Sequence, residues 1–259
     1  MAIRHATLPL WQEKNSEQKR TYLEQLWHDL TIYARHKEFE LEQGSGINFI
    51  RSNETTLKTI LNMYRRVLLK ETEQVKNILK SHPAADNNEE ESIKKTLSLL
   101  ENNPNLFNMN CEPGHFTGSA LVVDATSGIV LLHLHKKLDK WLQFGGHAEY
   151  ETNLFDVALR ETQEETGLAD LFNMAPDDQA NRPIDIDAHL IPAGKGEPKH
   201  WHLDFRFVLG TNSLGKVSVD GTQESENFER FEFDRAIAFV GKIDQSLKRL
   251  IQKAKKICT

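Results

Sequence analysis

Hydrophobic residues recur at helical spacing through roughly the first hundred residues of the chain. Apolar positions three and four residues apart predict helices over 16–42, 54–80 and 89–100. Each of these segments is followed by a turn-forming sequence: Gly-Ser-Gly, Ser-His-Pro and Asn-Asn-Pro respectively. The pattern therefore predicts an all-helical N-terminal region, which we bound at residues 1–108.

After residue 113 the pattern changes to short alternating or fully apolar runs. These runs predict strands at 116–123, 129–135, 141–144, 184–191, 200–209 and 228–233. Helical spacing returns over 153–166, which ends at Gly167, and over 243–256. The alternation of strands and helices predicts an α/β domain spanning residues 109–259.

Charge is distributed unevenly between these two regions. Residues 1–110 carry 15 basic and 15 acidic side chains, whereas the remainder carries 17 against 23, which accounts for the whole net charge of −6. A protein that binds phosphate without spare positive charge needs cations to bring an anionic substrate close. The acidic half therefore indicates metal-mediated phosphate binding, and it argues against a nucleic-acid-coating role, which would need a basic face.

Neither a membrane span nor a secretory signal is predicted. The longest apolar runs are a few residues, far below the ~20 that cross a bilayer, and Met1–Trp11 contains no apolar signal core. The two cysteines, Cys111 and Cys258, are too far apart in sequence to form a Cys-x-x-Cys site. We expect a cytoplasmic protein without a thiolate metal site.

The segment most informative about chemistry is the predicted helix over 153–166. Glu161, Glu164 and Glu165 fall within one arc of roughly 100° on this helix, beside an apolar stripe. Like charges at this spacing repel one another. Mg²⁺ resolves such repulsion, because it takes oxygen ligands and bridges to substrate phosphates. Arg160, four residues before Glu164, could hold a carboxylate in place.

The segment from Gly146 to Leu168 resembles the Nudix box, a pattern of Gly, five residues, Glu, seven residues, and Arg-Glu-aliphatic-x-Glu-Glu-x-Gly-aliphatic. The matches in register are Gly146, Arg160, Glu161, Glu164, Glu165, Gly167 and Leu168. Thr162 replaces the usual aliphatic residue, and Thr152 replaces the first Glu. Glu149 and Glu151 are close enough in sequence for one of them to substitute. The flanking strand pattern, from about 113 to 257, is also similar to a Nudix domain.

The resemblance implies an α/β/α sandwich that hydrolyses a phosphoanhydride bond in a nucleoside-diphosphate-linked or related small substrate. Glu161, Glu164 and Glu165 would bind Mg²⁺ or Mn²⁺, which polarises phosphoryl oxygens and activates water. Glu164 is our candidate on the helix for the general base, and Glu224 is the candidate on a later loop. Arg160 completes the catalytic candidates.

Two other functions stay open on the sequence alone. The first is a ligand-binding or regulatory module with weak or no catalysis, which Thr152 favours and the three intact glutamates oppose. The second is isomerisation of an isoprenyl diphosphate, which ranks low because Cys111 and Cys258 are poorly placed for it. The expected partner is a small nucleotide-type molecule, not a membrane or a nucleic acid. The N-terminal helices would cover the domain or form a homodimer interface.

Two predicted strands alternate strictly. Asp185, Asp187 and His189 face one way in the first strand, and His200, His202, Asp204 and Arg206 face one way in the second. Pairing of these strands as a hairpin around 194–196 would place both sets on one sheet face. That face would be a substrate pocket, an additional metal site of the kind histidine forms with Zn²⁺, or a wet outer surface. We take as candidate substrate-binding residues Gly146, His147, His200, His202 and Asp204.

Overall fold

A computed structural model describes most of the chain after residue 68. The residues described are 69–103, 105–136, 138–149, 151–176, 181–194, 198–217, 225–241 and 244–258. The predicted helix at 16–42 and most of the one at 54–80 lie outside these residues, as does Glu224.

The described residues form a mixed α/β structure. A helical segment spans 69–81, which we label α1. The other helices are α2 (Asn87–Asn102), α3 (Leu154–Thr166), α4 (Phe233–Val240) and α5 (Gln245–Cys258). The strands are β1 (Gly114–Asp124), β2 (Val130–His135), β3 (Lys140–Leu142), β4 (Phe144–His147), β5 (Phe172–Asn173), β6 (Asp185–Ile191), β7 (His200–Thr211) and β8 (Ser225–Phe231).

All eight strands belong to one sheet, organised around β1 and β7. These two strands pair in parallel over eleven residues, from Gly114 beside Trp201 to Asp124 beside Thr211. The remaining pairings are antiparallel: β4 and β2 pair with β1, β6 and β5 with β7, and β3 and β8 with β2. The predicted hairpin of β6 and β7 is confirmed, with Asp187 opposite Asp204 and His189 opposite His202.

Helices cover both faces of the sheet. On one face α1, α2 and α3 pack on a core that includes Phe116, Phe205 and Phe207. On the other face α4 and α5 pack on a core that includes Leu121 and Val208. This arrangement confirms the predicted α/β/α sandwich.

The predicted boundary at residue 108 lies within a shared core. Val75, Leu79 and Leu100 precede the boundary, and they are buried in the same cluster as Phe116 and Phe205, which follow it. The helices just before the boundary therefore cover one face of the sheet. The division into regions 1–108 and 109–259 stays a prediction.

The largest difference from the sequence-based assignment is at α4. The strand predicted at 228–233 ends at Phe231, and a helix begins two residues later at Phe233. Phe233, Ala236 and Val240 are buried at the three- and four-residue spacing of a helical stripe. No glycine or proline separates the end of β8 from the start of α4, so the sequence pattern gives no signal of the change from strand to helix.

A buried ionic network joins the two helical layers at the edge of the sheet. Glu89 of α2 is fully buried and accepts a hydrogen bond from the backbone N–H of Ile186 in the edge strand β6, at 3.0 Å. The same carboxylate binds Lys253 of α5 at 2.6 Å and His82 at 2.7 Å. Glu89 thus occupies a backbone N–H of the edge strand that could otherwise pair with a strand of another molecule. Through Lys253 it also connects α2 to α5.

Arginine side chains extend this network under the sheet. Arg249 of α5 donates to both carboxylate oxygens of Asp185, at 2.7 and 3.0 Å. Arg206 of β7 binds Asp204 and Asp187, and it also donates to Ser246 of α5. Burial opposes ionisation of Asp187, but Arg206 and the hydrogen bonds outweigh it and hold the pKa of that carboxyl well below its usual range.

Among the described residues, no helix is both long enough and apolar enough to cross a membrane.

We expect Glu89→Gln to lower the free energy of unfolding by about 3 kcal/mol, because removing one member of a buried ion pair leaves its partners uncompensated. Glu90→Gln is the matched control, since Glu90 is the exposed neighbour on the same helix. Urea denaturation at pH 7 measures both changes. A Glu89 variant as stable as the Glu90 variant would contradict the role assigned to this carboxylate.

Comparing the parent protein with Glu89→Gln at several pH values tests the ionisation of Glu89. Burial raises the pKa of Glu89, but hydrogen bonds from His82 and Lys253 outweigh that effect and hold the pKa well below its ordinary value. A depressed folded-state pKa stabilises the protein above the unfolded-state pKa of about 4.3, and this contribution is lost as the pH falls below it. The difference in stability between the parent and Glu89→Gln should therefore narrow below about pH 4.

Candidate functional site

Two glycines allow the carboxylate helix α3 to lie close to the sheet. A Cβ on Gly118 of β1 would come within 2.6 Å of the carbonyl oxygen of Leu154. A Cβ on Gly146 of β4 would come within 2.4 Å of the carboxyl carbon of Glu161. A Cβ atom does not come this close to a non-bonded heavy atom. The lack of a side chain at Gly118 and Gly146 therefore leaves room for the helix and for the Glu161 carboxylate.

Capping residues fix the length of α3. The side chain of Asn153 accepts a hydrogen bond from the N–H of Phe155 at the start of the helix. Gly167 ends it in the left-handed conformation, with φ of 70°, which glycine adopts without strain. Thr162, in the place of the usual aliphatic residue, is fully buried and donates its hydroxyl to the carbonyl of Ala158 at 2.6 Å. The substitution therefore leaves no unpaired hydroxyl in the core.

The structure brings the predicted carboxylates to the β4 backbone and to Arg160. Glu165 accepts a hydrogen bond from the N–H of Gly145 at 3.0 Å. Arg160 donates through Nη1 to Glu161 at 2.7 Å and through Nη2 to the carbonyl oxygen of His147 at 3.1 Å. Glu164 is 3.6 Å from the same guanidinium, and its side chain is 62% exposed. Two of the three carboxylates are thus held against β4, and the third faces solvent.

These neighbours perturb the ionisation of both Glu161 and Arg160. Burial is the main cause that raises the pKa of Glu161; Arg160 opposes the increase, and the nearby charges of Glu164 and Glu149 add to it. Burial disfavours the charged form of Arg160, but the charges of Glu161, Glu164 and Glu149 outweigh burial and raise the pKa of Arg160. A cluster of carboxylates around one arginine is an environment that would favour an added cation.

The replaced glutamate position has an unusual environment. Thr152 is 6% exposed, and its hydroxyl has no hydrogen-bond partner among the described residues. Glu151 accepts hydrogen bonds from the backbone N–H groups of Thr152 and Asn153. Glu149 is exposed and lies close enough to affect the ionisation of both Arg160 and Glu161. Glu149 is therefore the better placed of the two candidates to supply the missing charge.

A second polar cluster lies on the opposite sheet face from α3. Parallel pairing sets His115 beside His202 and Thr117 beside Asp204, while antiparallel pairing sets His147 beside Thr117. These positions are buried or half-buried, with Asp204 at 3% and His200 at 8% exposure. The prediction of a shared polar face is confirmed, but the face is not a wet outer surface.

Asp204 is fully engaged within this cluster. Its two carboxylate oxygens accept hydrogen bonds from Thr117, Ser119 and Arg206 at 3.0, 2.8 and 2.9 Å. Gln143, between β3 and β4, adds a longer one at 3.3 Å. Asp204 therefore positions neighbouring strands, and little of its hydrogen-bonding capacity remains for a ligand.

Four histidine rings pack together on this face, and a fifth, that of the exposed His189, lies 5.4 Å from that of His202. His115 is at the centre, with ring centroids 4.9, 5.0 and 4.9 Å from those of His147, His200 and His202. Burial, reinforced by the other imidazoles, lowers the pKa of His115 to about 3 and that of His202 to about 2. Both rings are therefore neutral at pH 7.

Sequence reasoning did not identify His115 or Gln143 as site residues. The predicted strand began at Phe116, whereas β1 begins at Gly114, so His115 fell outside it. The alternation of His115, Thr117 and Ser119 with apolar residues was the available signal. Glu224, the predicted base on a loop, lies outside the described residues.

The α/β/α fold and the carboxylate helix α3 resemble those of Nudix hydrolases, as the sequence predicted. Comparison with known proteins confirms this resemblance, although no family model matches the chain. A curated relative from Lactococcus lactis subsp. cremoris (strain MG1363), named as a probable DHNTP pyrophosphohydrolase, is 29% identical over 123 residues; the match covers 46% of this chain and 69% of the relative.

Solved structures of Nudix hydrolases are also similar to this chain. A NUDIX-family hydrolase from Clostridium perfringens is 29% identical, with 56% of this chain and 95% of that chain covered and a TM-score of 0.39. An Ap4A hydrolase from C. elegans is 17% identical, with 54% and 95% covered and a TM-score of 0.40.

Proposed function

We propose that this protein is a divalent-metal-dependent hydrolase that cleaves a phosphoanhydride bond in a nucleoside-diphosphate-linked or related small substrate. The observation that carries the proposal is the position of Glu161 and Glu164 beside Arg160 and of Glu165 at the N–H of Gly145, all on one helix. The similarity to a probable DHNTP pyrophosphohydrolase supports the reaction class and makes DHNTP one of the first substrates to assay.

The donor atoms present are of the kind that Mg²⁺ and Mn²⁺ bind. Glu161, Glu164 and Glu165 would hold the ion, since all three offer the oxygen donors that these hard cations prefer. The absence of a side chain on Gly146 leaves the space that the Glu161 carboxylate occupies. The excess of negative charge around Arg160 is the electrostatic condition that a divalent cation would relieve. Bound there, the cation would polarise the phosphoryl oxygens and make water a better nucleophile.

The chain's own residues would supply positioning and proton transfer. Arg160 ties Glu161 to the carbonyl of His147, and the N–H of Gly145 holds Glu165, so both carboxylates keep fixed directions. Glu164 is the most exposed of the three and has its guanidinium partner at 3.6 Å, beyond a short hydrogen bond. We assign Glu164 the role of general base, which takes the proton from the attacking water.

A ligand-binding module with little catalysis is the second candidate. Thr152 at the first-Glu position favours it, because one charge of the usual set is missing and its buried hydroxyl has no partner in the described part of the chain. The three remaining carboxylates, two of them held in fixed directions, favour catalysis. Turnover of a nucleotide or DHNTP substrate distinguishes the two functions.

The central test is metal dependence. Purified protein treated with excess chelator should lose activity, because three carboxylates without a cation repel an anionic substrate. Adding Mg²⁺ or Mn²⁺ should restore it, and phosphate or pyrophosphate release measures the recovery. Full activity in excess chelator would exclude the mechanism proposed above.

Glu164→Gln and Glu165→Gln should each reduce kcat by on the order of 10²-fold or more while the fold stays intact. Both substitutions keep the shape of the side chain and remove its charge. Gln163→Ala is the matched control, because Gln163 lies between Arg160 and Glu164 on the same helix and is exposed. Near-parental kinetics for both glutamine variants would place the reaction elsewhere.

The environment of Thr152 predicts which glutamate compensates for it. Glu149→Gln should raise the Mg²⁺ concentration needed for half-maximal activity, because Glu149 contributes negative charge next to Arg160 and Glu161. Thr152→Glu should lower that concentration by restoring the usual charge. Glu151→Gln serves as the control, since a glutamine oxygen can still accept from the N–H groups of Thr152 and Asn153. Identical Mg²⁺ titrations for all the variants and the parent would show that the first-Glu position is irrelevant here.

A further inference from the structure

The four-histidine cluster is separate in chemistry from the carboxylate site. His115, on β1, and His200 and His202, on β7, each offer one ring nitrogen, and these three atoms lie within 4.8 Å of one another. His115 is 4% exposed, and neither of its ring nitrogens has a hydrogen-bond partner among the described residues. An imidazole buried without a partner is costly, so this ring points to a ligand.

We propose that His115, His200 and His202 form a binding site for a transition-metal ion of the Zn²⁺ type, in addition to the carboxylate site for Mg²⁺ or Mn²⁺. The site lies on the sheet face opposite α3. It joins the parallel strands β1 and β7 at the end where both begin.

The spacing of the ring nitrogens suits such an ion. The Nε2 atoms of His200 and His202 are 3.3 Å apart. Two nitrogens bound to Zn²⁺ at ~2.0–2.1 Å with tetrahedral angles lie about 3.3 Å from each other. The widest separation in the cluster, up to 4.8 Å, needs to shorten by roughly 1.5 Å for the same geometry.

A hydrogen bond sets the tautomer of His200. Its Nδ1 is 2.8 Å from the carbonyl oxygen of Pro198, and a carbonyl only accepts, so Nδ1 is the protonated nitrogen. In the neutral ring the lone pair is then on Nε2, which faces His202. A backbone carbonyl that orients a histidine through its distal nitrogen is the usual second partner of a metal-binding imidazole.

The donor set favours Zn²⁺ and similar ions over Mg²⁺. Imidazole nitrogen suits Zn²⁺, Cu²⁺ and Ni²⁺, whereas Mg²⁺ prefers oxygen. The carboxylates on the same strands are already engaged: Asp204 with Thr117, Ser119 and Arg206, and Asp187 with Arg206, Ser246 and His189. Three protein ligands leave one tetrahedral position for water or another donor, and the ring of His147 is 4.9 Å from that of His115.

The test is a Zn²⁺ titration of untagged, full-length protein that has been stripped with chelator and returned to buffer with excess Mg²⁺. Mg²⁺ competes for the carboxylates, so Zn²⁺ bound in its presence reports the imidazole site. We expect one equivalent with micromolar or tighter affinity. X-ray absorption at the zinc edge of the same sample should show nitrogen ligands at ~2.0 Å with imidazole scattering.

Matched variants separate this site from the carboxylate site. His200→Gln should weaken Zn²⁺ binding by about 100-fold or more, while His135→Gln, on β2 away from the cluster, and Glu164→Gln should leave it unchanged. Loss of Zn²⁺ binding in Glu164→Gln but not in His200→Gln would overturn the proposal. Stoichiometric binding without imidazole scattering would also overturn it, and this measurement on the parent protein stands even if His200→Gln does not fold. Both outcomes leave the Mg²⁺-dependent hydrolysis proposed above standing.

Discussion

The register of the parallel pairing between β1 and β7 is the constraint on which the rest of the structure depends. Along eleven residues, the two strands send Phe116 and Phe205 into the core beneath α3 and send His115 and His202 to the opposite face. A shift of one residue in either strand would exchange these faces. Burial of Phe116 and Phe205 fixes which face each strand turns to the core, and it therefore also determines that His115 and His202 lie side by side on the other face.

The buried charges of Asp204 and Arg206 on the polar face of β7 require partners, because burying an unpaired charge is costly. Removing an ion from water costs several kcal/mol even after relaxation. Asp204 and Arg206 offset this cost by binding each other, and Arg206 adds Asp187 and Ser246. Asp204 in turn holds Ser119 and Gln143, which lie beside β4. The network thus stabilises the strand that carries Gly146 and His147, so the geometry of the candidate site depends on buried ion pairs some distance from it.

Local patterns were enough to predict much of the fold and part of the site. Strict alternation in 184–191 and 200–209 predicted the hairpin of β6 and β7, and helical spacing placed Glu161, Glu164 and Glu165 on one helix that ends at Gly167. Contacts between distant segments had no local signal. Neither Glu89 nor Lys253 is distinctive in its own helix, and their meeting depends on how α2 and α5 pack around β6. His115 was missed because the predicted strand begins at Phe116, one residue after it, and its strand partner His202 is distant in the sequence.

Strand β4 shows how one short element can serve two kinds of chemistry. Successive side chains of a strand point to opposite faces. Gly146 therefore faces the Glu161 carboxylate on α3, while the adjacent His147 faces His115 and His202. The carbonyl of His147 also accepts from Arg160, so this residue contacts both clusters. Oxygen donors on one face and nitrogen donors on the other would select different cations without competing for them. A displacement of β4 would alter both sets of donors together, because the backbone that orients Glu161 and Glu165 is the backbone that orients His147.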